Sequence, residues 1–338
     1  MLRIAQVVRS DAFAGVERYV CGAANGLGRK GHDVIVVGGD MARMRAELDE
    51  SIRHVAAADT VAVVRALSRL GAIDVVHAHM TAAEIGSILV RPVNRAAIVA
   101  TRHFPDARLG SLPRAVSSLV RRRLSAQVAI SEFVAREIGE PSTVIYNGVP
   151  GRPQANLDQP VVLMLQRLQP EKSPFVGLDA WSASGLADRG WTLQIAGGGS
   201  LEPVLRRRVL EGGLKSSVSV LGQVAATDAL LQRASALLAP APAEPFGLSV
   251  VEAMAHGVPV VAARGGAHAE TLGAEGLFFE PDDADAAAAH LAALAQSREL
   301  RVRIGQRLRG RQTALFSLDA HVGLLEDLYR MLGVGAHP

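Results

Sequence analysis

Residues 244–252 read EPFGLSVVE and run directly into AMAHGVPVVAARGG over 253–266. Pro245, Phe246 and Gly247 turn the chain into LSVVEAMA, a helical pattern. Gly257 and Pro259 stop that helix, VPVVAA reads as a buried strand, and Gly265 and Gly266 open a loop. Helix, strand and glycine loop in this order form the repeating step of a parallel sheet. A helix start offers unpaired N–H groups and the positive end of the macrodipole, which suits an anionic diphosphate. An ionised carboxylate is a pure acceptor for hydroxyls, so Glu244 is a candidate to hold a sugar and Glu252 a ribose. Ser249 and Glu252 equally fit a capping box, S-x-x-E, in which Glu252 satisfies only its own helix.

The same alternation extends in both directions. Strand patterns VVLMLQRL, WTLQIAGG, SVSVLGQ, ALLAPA, VPVVAA and GLFFE follow one another in the second half. LRIAQVV, DVIVVGG, DVVHAH, AAIVATR, AQVAIS and STVIYN do so in the first, with helices expected around 15–29, 59–71, 81–90, 113–124 and 131–138. GVPGRPQANLDQP after Asn147 has three prolines, two glycines and no periodicity, so it reads as the linker. The expectation is α/β, two Rossmann-like doubly wound domains facing a cleft. Residues 1–152 form one and 153–317 the other, and ligands lie beyond the carboxyl ends of the strands. Val322, Leu325, Leu328 and Leu332 form an apolar stripe on a last helix over 318–332.

At 338 residues the chain suits two cores, built from aliphatic residues because aromatics make up only 4%. The single cysteine, Cys21, excludes an internal disulfide and fits a reducing cytoplasm. Arg3 and Arg9 come too early for a signal-peptide core, and no apolar run reaches membrane-spanning length. A formal charge of +3 favours anionic small substrates without demanding nucleic acid. His77 and His79 share a strand face, yet no neighbouring pattern completes a metal site, and PDDAD over 281–285 reads as a helix start. No metal or other cofactor is expected.

Glu244, Glu252, Ala255, Gly257, Pro259, Val260, Val261, Gly265 and Gly266, together with GVERYV, LGRKGHDVIVV, DVVHAH, VATRH, AISEF, VIYNGV and LQRLQPEKSP, make the sequence similar to the retaining GT-B glycosyltransferases of the E-x7-E group, the family-four type. This resemblance implies transfer of a sugar from a nucleotide-diphosphate sugar to an acceptor hydroxyl with retention, in glycan or glycoconjugate biosynthesis. It also implies front-face attack, with the leaving phosphate taking the acceptor proton, and a last helix that packs back on the first domain. Arg167 and Lys172 follow a strand with the family's phosphate-binding spacing, although Ser173 stands where glycine is usual. Read alone, they would be solvated charges. His103 corresponds to a histidine facing the reacting sugar, and Gly222 to Val224 to the site where the base stacks. Phe246, Gly247 and Leu248 lie at the donor-binding helix start. Gly197, Gly198 and Gly199 either bring backbone to the nucleotide or simply make a tight turn. Gly15 corresponds to the second of two family glycines, the first replaced by Ala14. A GT-B nucleotide-sugar epimerase or hydrolase and a non-catalytic nucleotide-sugar binding protein are the competing readings.

Residues 102–123 carry Arg102, Arg108, Arg114, Arg121, Arg122 and Arg123 against the single acid Asp106. With Leu112, Val116, Leu119, Val120 and Leu124 on an expected helix, the segment is a candidate for receiving an anionic acceptor, lipid-linked or glycan. It is equally a candidate for peripheral contact at an anionic inner membrane face. A solvated helix face is the competing reading.

Overall fold

The computed structural model describes residues 1–13, 15–94, 96–105 and 122–333. Ala14, Asp106, Arg108, Arg114, Arg121 and most of the helix expected over 113–124 lie outside the described residues. The chain divides into two compact units, one within Met1–Gly148 and Ser317–Pro338, the other Val149–Phe316.

In the first unit the order is β1 (Arg3–Val8), α1 (Gly15–Arg29), β2 (Asp33–Val37), α2 (Met41–Glu47), β3 (Arg53–Val55), α3 (Thr60–Arg69), β4 (Val75–His79), α4 (Thr81–Asn94), β5 (Ala97–Arg102), β6 (Ala126–Ala129), α5 (Glu132–Ile138) and β7 (Thr143–Val144). The strands pair in parallel as β3-β2-β1-β4-β5-β6-β7, a doubly wound sheet whose order reverses between β1 and β4. The central strands β1, β2, β4 and β5 are buried along nearly all of their length, which explains why they read as runs dominated by Val, Ile and Ala. The second unit contains β8 (Val161–Leu165), α6 (Pro174–Ala183), β9 (Thr192–Ala196), α7 (Glu202–Glu211), β10 (Val218–Gly222), α8 (Thr227–Leu231), β11 (Ala236–Ala239), α9 (Leu248–Ala255), β12 (Val260–Ala263), α10 (His268–Leu272), β13 (Leu277–Phe279), α11 (Ala284–Gln296) and α12 (Arg298–Leu315). Its parallel sheet is ordered β10-β9-β8-β11-β12-β13, with the reversal between β8 and β11. Asp283 caps α11 by accepting from the Ala286 N–H at 2.9 Å, so PDDAD is a helix start.

The last helix, α13 (Leu318–Met331), belongs to the first unit. Val322, Leu325 and Leu328 enter the core around α1, β1 and β2, and Leu332 packs at its edge. A Cβ on Gly26 would stand 2.5 Å from Val322 Cγ2, so only glycine lets α1 and α13 approach this closely. Cys21 is buried in the same core, 3.5 Å from the Met44 sulfur.

The Pro-rich stretch after Asn147 does not behave as a free linker. Val149 N–H donates to Phe316 O at 2.9 Å, Ala155 N–H to His256 O at 2.8 Å, and Asn156 N–H to Gln232 O at 2.8 Å. These bonds tie it into the second unit, and the boundary falls at 148/149 rather than 152/153. No helix among the described residues is long and apolar enough to cross a membrane.

Candidate functional site

In the second unit the loops that leave the carboxyl ends of β8, β9, β11 and β12 brace one another. After β8, Gln166 Nε2–H donates to Lys172 O at 2.9 Å and closes the turn Pro170–Lys172. That turn ends at Ser173 with φ 45°, a left-handed conformation that favours glycine. Lys172 Nζ lies 2.6 Å from Glu244 Oε2, and the two side chains keep only 12% and 18% of their surface exposed. The two residues most closely tied to chemistry by sequence are therefore a direct ion pair, 72 positions apart. Arg167 is different: 61% exposed, it pairs at 2.9 Å with Glu171.

The glycine run after β9 is demanded by the fold at two of its three positions. A Cβ on Gly197 would fall 1.8 Å from Gln166 O, and one on Gly199 2.2 Å from Leu168 O, so the β9 loop lies directly on the β8 loop. At Gly198 a Cβ would meet nothing nearer than 3.6 Å, so packing does not explain that glycine. Gly222 adopts φ 70° and accepts from Gly197 N–H at 2.7 Å, while Val224 beyond it is half-buried.

Glu244 is held by the paired glycines. A Cβ on Gly265 would stand 2.0 Å from Pro242 O and one on Gly266 2.4 Å from Glu244 N, and Ala267 N–H donates to Glu244 O at 2.7 Å. Gly247, at φ 84°, is the N-cap of α9, and the first bond inside the helix runs from Val251 N–H to Gly247 O at 3.0 Å. Since Gly247 is the cap, Ser249 lies inside the helix and the capping box does not form. Glu252 is half-buried on α9, one turn further along from Leu248. Phe246 is buried with its ring edge-on to Phe316 at 5.9 Å, so its side chain serves the core. His268, which sequence reasoning missed, is buried next to the ion pair. Burial lowers its pKa, the Glu244 charge opposes that effect, and its Nδ1 lies 3.0 Å from Ala263 O.

In the first unit the strand ends converge on a buried polar cluster. His103 Nε2 lies 3.2 Å from His79 Nδ1, and His79 Nε2 lies 2.7 Å from Gln6 Oε1. Gln6 Nε2–H donates to the Tyr329 hydroxyl at 3.2 Å, which lies 2.6 Å from His77 Nδ1. His77 Nε2 lies 2.6 Å from Thr101 Oγ1. The Tyr19 ring stands edge-on to His79, His103 and His321 at 5.0–5.3 Å. Burial lowers the pKa of His77 and His103 to about 3 and of His321 to about 4, and carries His79 well below its ordinary value. All four rings are neutral at neutral pH. Sequence singled out His103 but not its company, because Gln6, Thr101, His321 and Tyr329 have no motif that links them. Gly15 is exposed at the first position of α1. Among the described residues no group of three or more His, Cys, Asp or Glu could hold a metal ion.

The basic segment needs one correction. Arg102 is not a free surface charge: it is ion-paired with the fully buried Glu84 and donates to Gln127 Oε1 at 2.9 Å. An isolated carboxylate at that depth requires a cation partner, and Arg102 supplies it. Of the remaining arginines, Arg122 and Arg123 are described and exposed.

Residues 13–150 match the family model Glycosyltransferase Family 4, and residues 150–311 match Glycosyl transferases group 1. An exopolysaccharide phosphotransferase of Streptomyces coelicolor is 32% identical over 56% of this chain, which spans only 20% of that protein. A glycogen synthase of Mycobacterium tuberculosis is 27% identical over 80% of both chains. Among solved structures, Anabaena HepE in complex with UDP and glucose has the same fold, with a TM-score of 0.83 at 19% identity. The match covers 98% of this chain and 100% of that one.

Proposed function

The chain belongs to the GT-B glycosyltransferases of family-four type, and from that premise we propose that it moves a hexosyl group from a nucleotide-diphosphate sugar to an acceptor hydroxyl with retention of configuration. The observation that carries this reading is the Lys172–Glu244 pair, held at 2.6 Å by the β8 loop and the glycine-supported β11 loop. Each charge compensates the other where solvent access is low. An arriving diphosphate competes for the Lys172 ammonium and releases a Glu244 oxygen to accept from sugar hydroxyls. Lys172 and the first amides of α9 then face the charge that grows on the leaving diphosphate, which is electrostatic stabilisation of the transition state. Glu252 takes the ribose, Gly222 to Val224 the base, and His103 in the first unit a sugar hydroxyl. The departing phosphate accepts the acceptor's proton, so neither a protein nucleophile nor a metal is needed, and chelation leaves the rate unchanged.

UDP and glucose bound to HepE make UDP-sugars the first donors to test. A panel of UDP-, GDP- and ADP-sugars is expected to yield one that raises the thermal midpoint, since a ligand of the folded state stabilises it. Calorimetry on two variants tests the assignment. Glu244→Ala is expected to keep nucleotide affinity while losing most transfer, and Glu252→Ala to weaken nucleotide binding. Equal loss of nucleotide affinity in both would overturn it.

A further inference from the structure

We propose that Tyr329, on the last helix, is a positioning residue that selects, through Gln6 and His79, the tautomer in which His103 meets the substrate. The proposal rests on the reading of His103 as a sugar contact. It begins from an amide oxygen, which accepts and never donates. Gln6 Oε1 is 2.7 Å from His79 Nε2, so His79 carries its proton there, and the neutral ring leaves Nδ1 as an acceptor. His103 Nε2, 3.2 Å away, must then donate to it. The His103 lone pair is thereby confined to Nδ1, the ring nitrogen able to accept from a sugar hydroxyl.

The orientation of the Gln6 amide thus sets the direction of the chain. Gln6 Nε2–H donates to the Tyr329 hydroxyl, which in turn donates to His77 Nδ1. His77 donates from Nε2 to Thr101 Oγ1. Every link has one donor and one acceptor, so a flipped Gln6 would reverse them all and move the His103 proton to Nδ1. The Tyr329 hydroxyl is the step that joins the Gln6–His79–His103 arm to the His77–Thr101 arm. Tyr329 and Gln6 are fully buried, so water does not replace the hydroxyl in this chain. The bond between Gln6 and Tyr329 joins residues 323 positions apart and gives the return of α13 to the first unit a chemical role in addition to packing.

Tyr329→Phe removes the hydroxyl and keeps the ring that fills the core. Nitrogen NMR of histidine-labelled protein reports which ring nitrogen of His103 carries the proton. In the wild type it is expected to be Nε2, and a proton on Nδ1 overturns the proposal whatever the variant does. In Tyr329→Phe both tautomers are expected, with kcat lowered roughly tenfold, the loss of about one hydrogen bond, and donor KM within about twofold. A His103 spectrum identical to that of the wild type overturns the proposal. His103→Ala separates the two claims: full transfer activity there defeats the sugar-contact reading, while the tautomer measurement still decides the role of Tyr329.

Discussion

Lys172 and Arg167 were equivalent in the sequence, two cations behind one strand, and the structure makes them unequal. Lys172 is shielded and already engaged with Glu244, whereas Arg167 is open to water and tied to Glu171. A charge in a low-dielectric site acts on a developing anion far more than a solvated one. Lys172→Ala is therefore expected to lower kcat by roughly a hundred- to a thousandfold, and Arg167→Ala by about tenfold or less because solvent screens it. Steady-state kinetics with a saturating donor decides this, and equal losses would contradict it. Ser173 gives a second test. Its left-handed φ of 45° disfavours a residue with a Cβ, so Ser173→Gly is expected to raise stability by up to about 1 kcal/mol, the strain relief slightly exceeding the added chain entropy. Thermal melts measure it, and a fall in the midpoint would show that the serine side chain contributes more than its strain costs. The R-x4-K spacing and the unusual serine were legible in the sequence. The partner of each cation was not, because Glu171 and Glu244 both carry a carboxylate and only the fold brings one of them to Lys172.

Elements with long buried strands were legible for a simple reason. A parallel strand covered on both faces is mostly apolar, with a few polar residues such as Gln6, His77 and His79 that find buried partners, and the motif loops stand at such strand ends. The short α2 and β3 were missed, since Met41–Glu47 and Arg53–Val55 are too brief to show a period. Glycines within helices were equally opaque. Gly305 and Gly310 both lie in α12, in RIGQRLRGRQ, yet a Cβ on Gly305 would stand 2.0 Å from the Gly257 carbonyl oxygen, while Gly310 has nothing within 4 Å. Gly257 ends α9 in a left-handed conformation, so the contact locks α12 onto the end of the helix that follows Glu244. Gly305→Ala is expected to destabilise by roughly 1–3 kcal/mol through overpacking against backbone. Gly310→Ala is expected to stabilise by up to about 1 kcal/mol through helix propensity. Urea unfolding of the two single variants checks the pair, and the same sign for both would refute the distinction.

At the scale of the whole molecule, the buried histidines are divided unevenly. His77, His79, His103 and His321 belong to the first unit and all have pKa values depressed by burial, whereas the second unit has His268 as its one such group among the described residues. Nothing in the sequence announced this, since two residues of β4, one just past the end of β5 and one from the last helix meet only when the chain closes on itself. The sign of the effect follows from proton counting. Below the ordinary value of 6.5 the unfolded chain takes up protons that the folded rings, at about 3 to 4, refuse. Stability is then complete above pH 6.5 and is lost as the pH falls towards the folded values. Each such ring contributes on the order of 1 kcal/mol per pH unit in that window, with less than full addition because the rings are coupled. The aromatic residues provide separate reporters: the three tyrosines, Tyr19, Tyr146 and Tyr329, are all in the first unit, and both tryptophans, Trp181 and Trp191, are in the second. In urea titrations at pH 7 and pH 5, the tyrosine-detected transition is expected to move to clearly lower urea. The tryptophan-detected transition should move much less. Equal displacement of both signals would mean that the histidine cluster does not set the acid sensitivity, whereas a tyrosine-specific shift that disappears when the four histidines are replaced together would assign it to them.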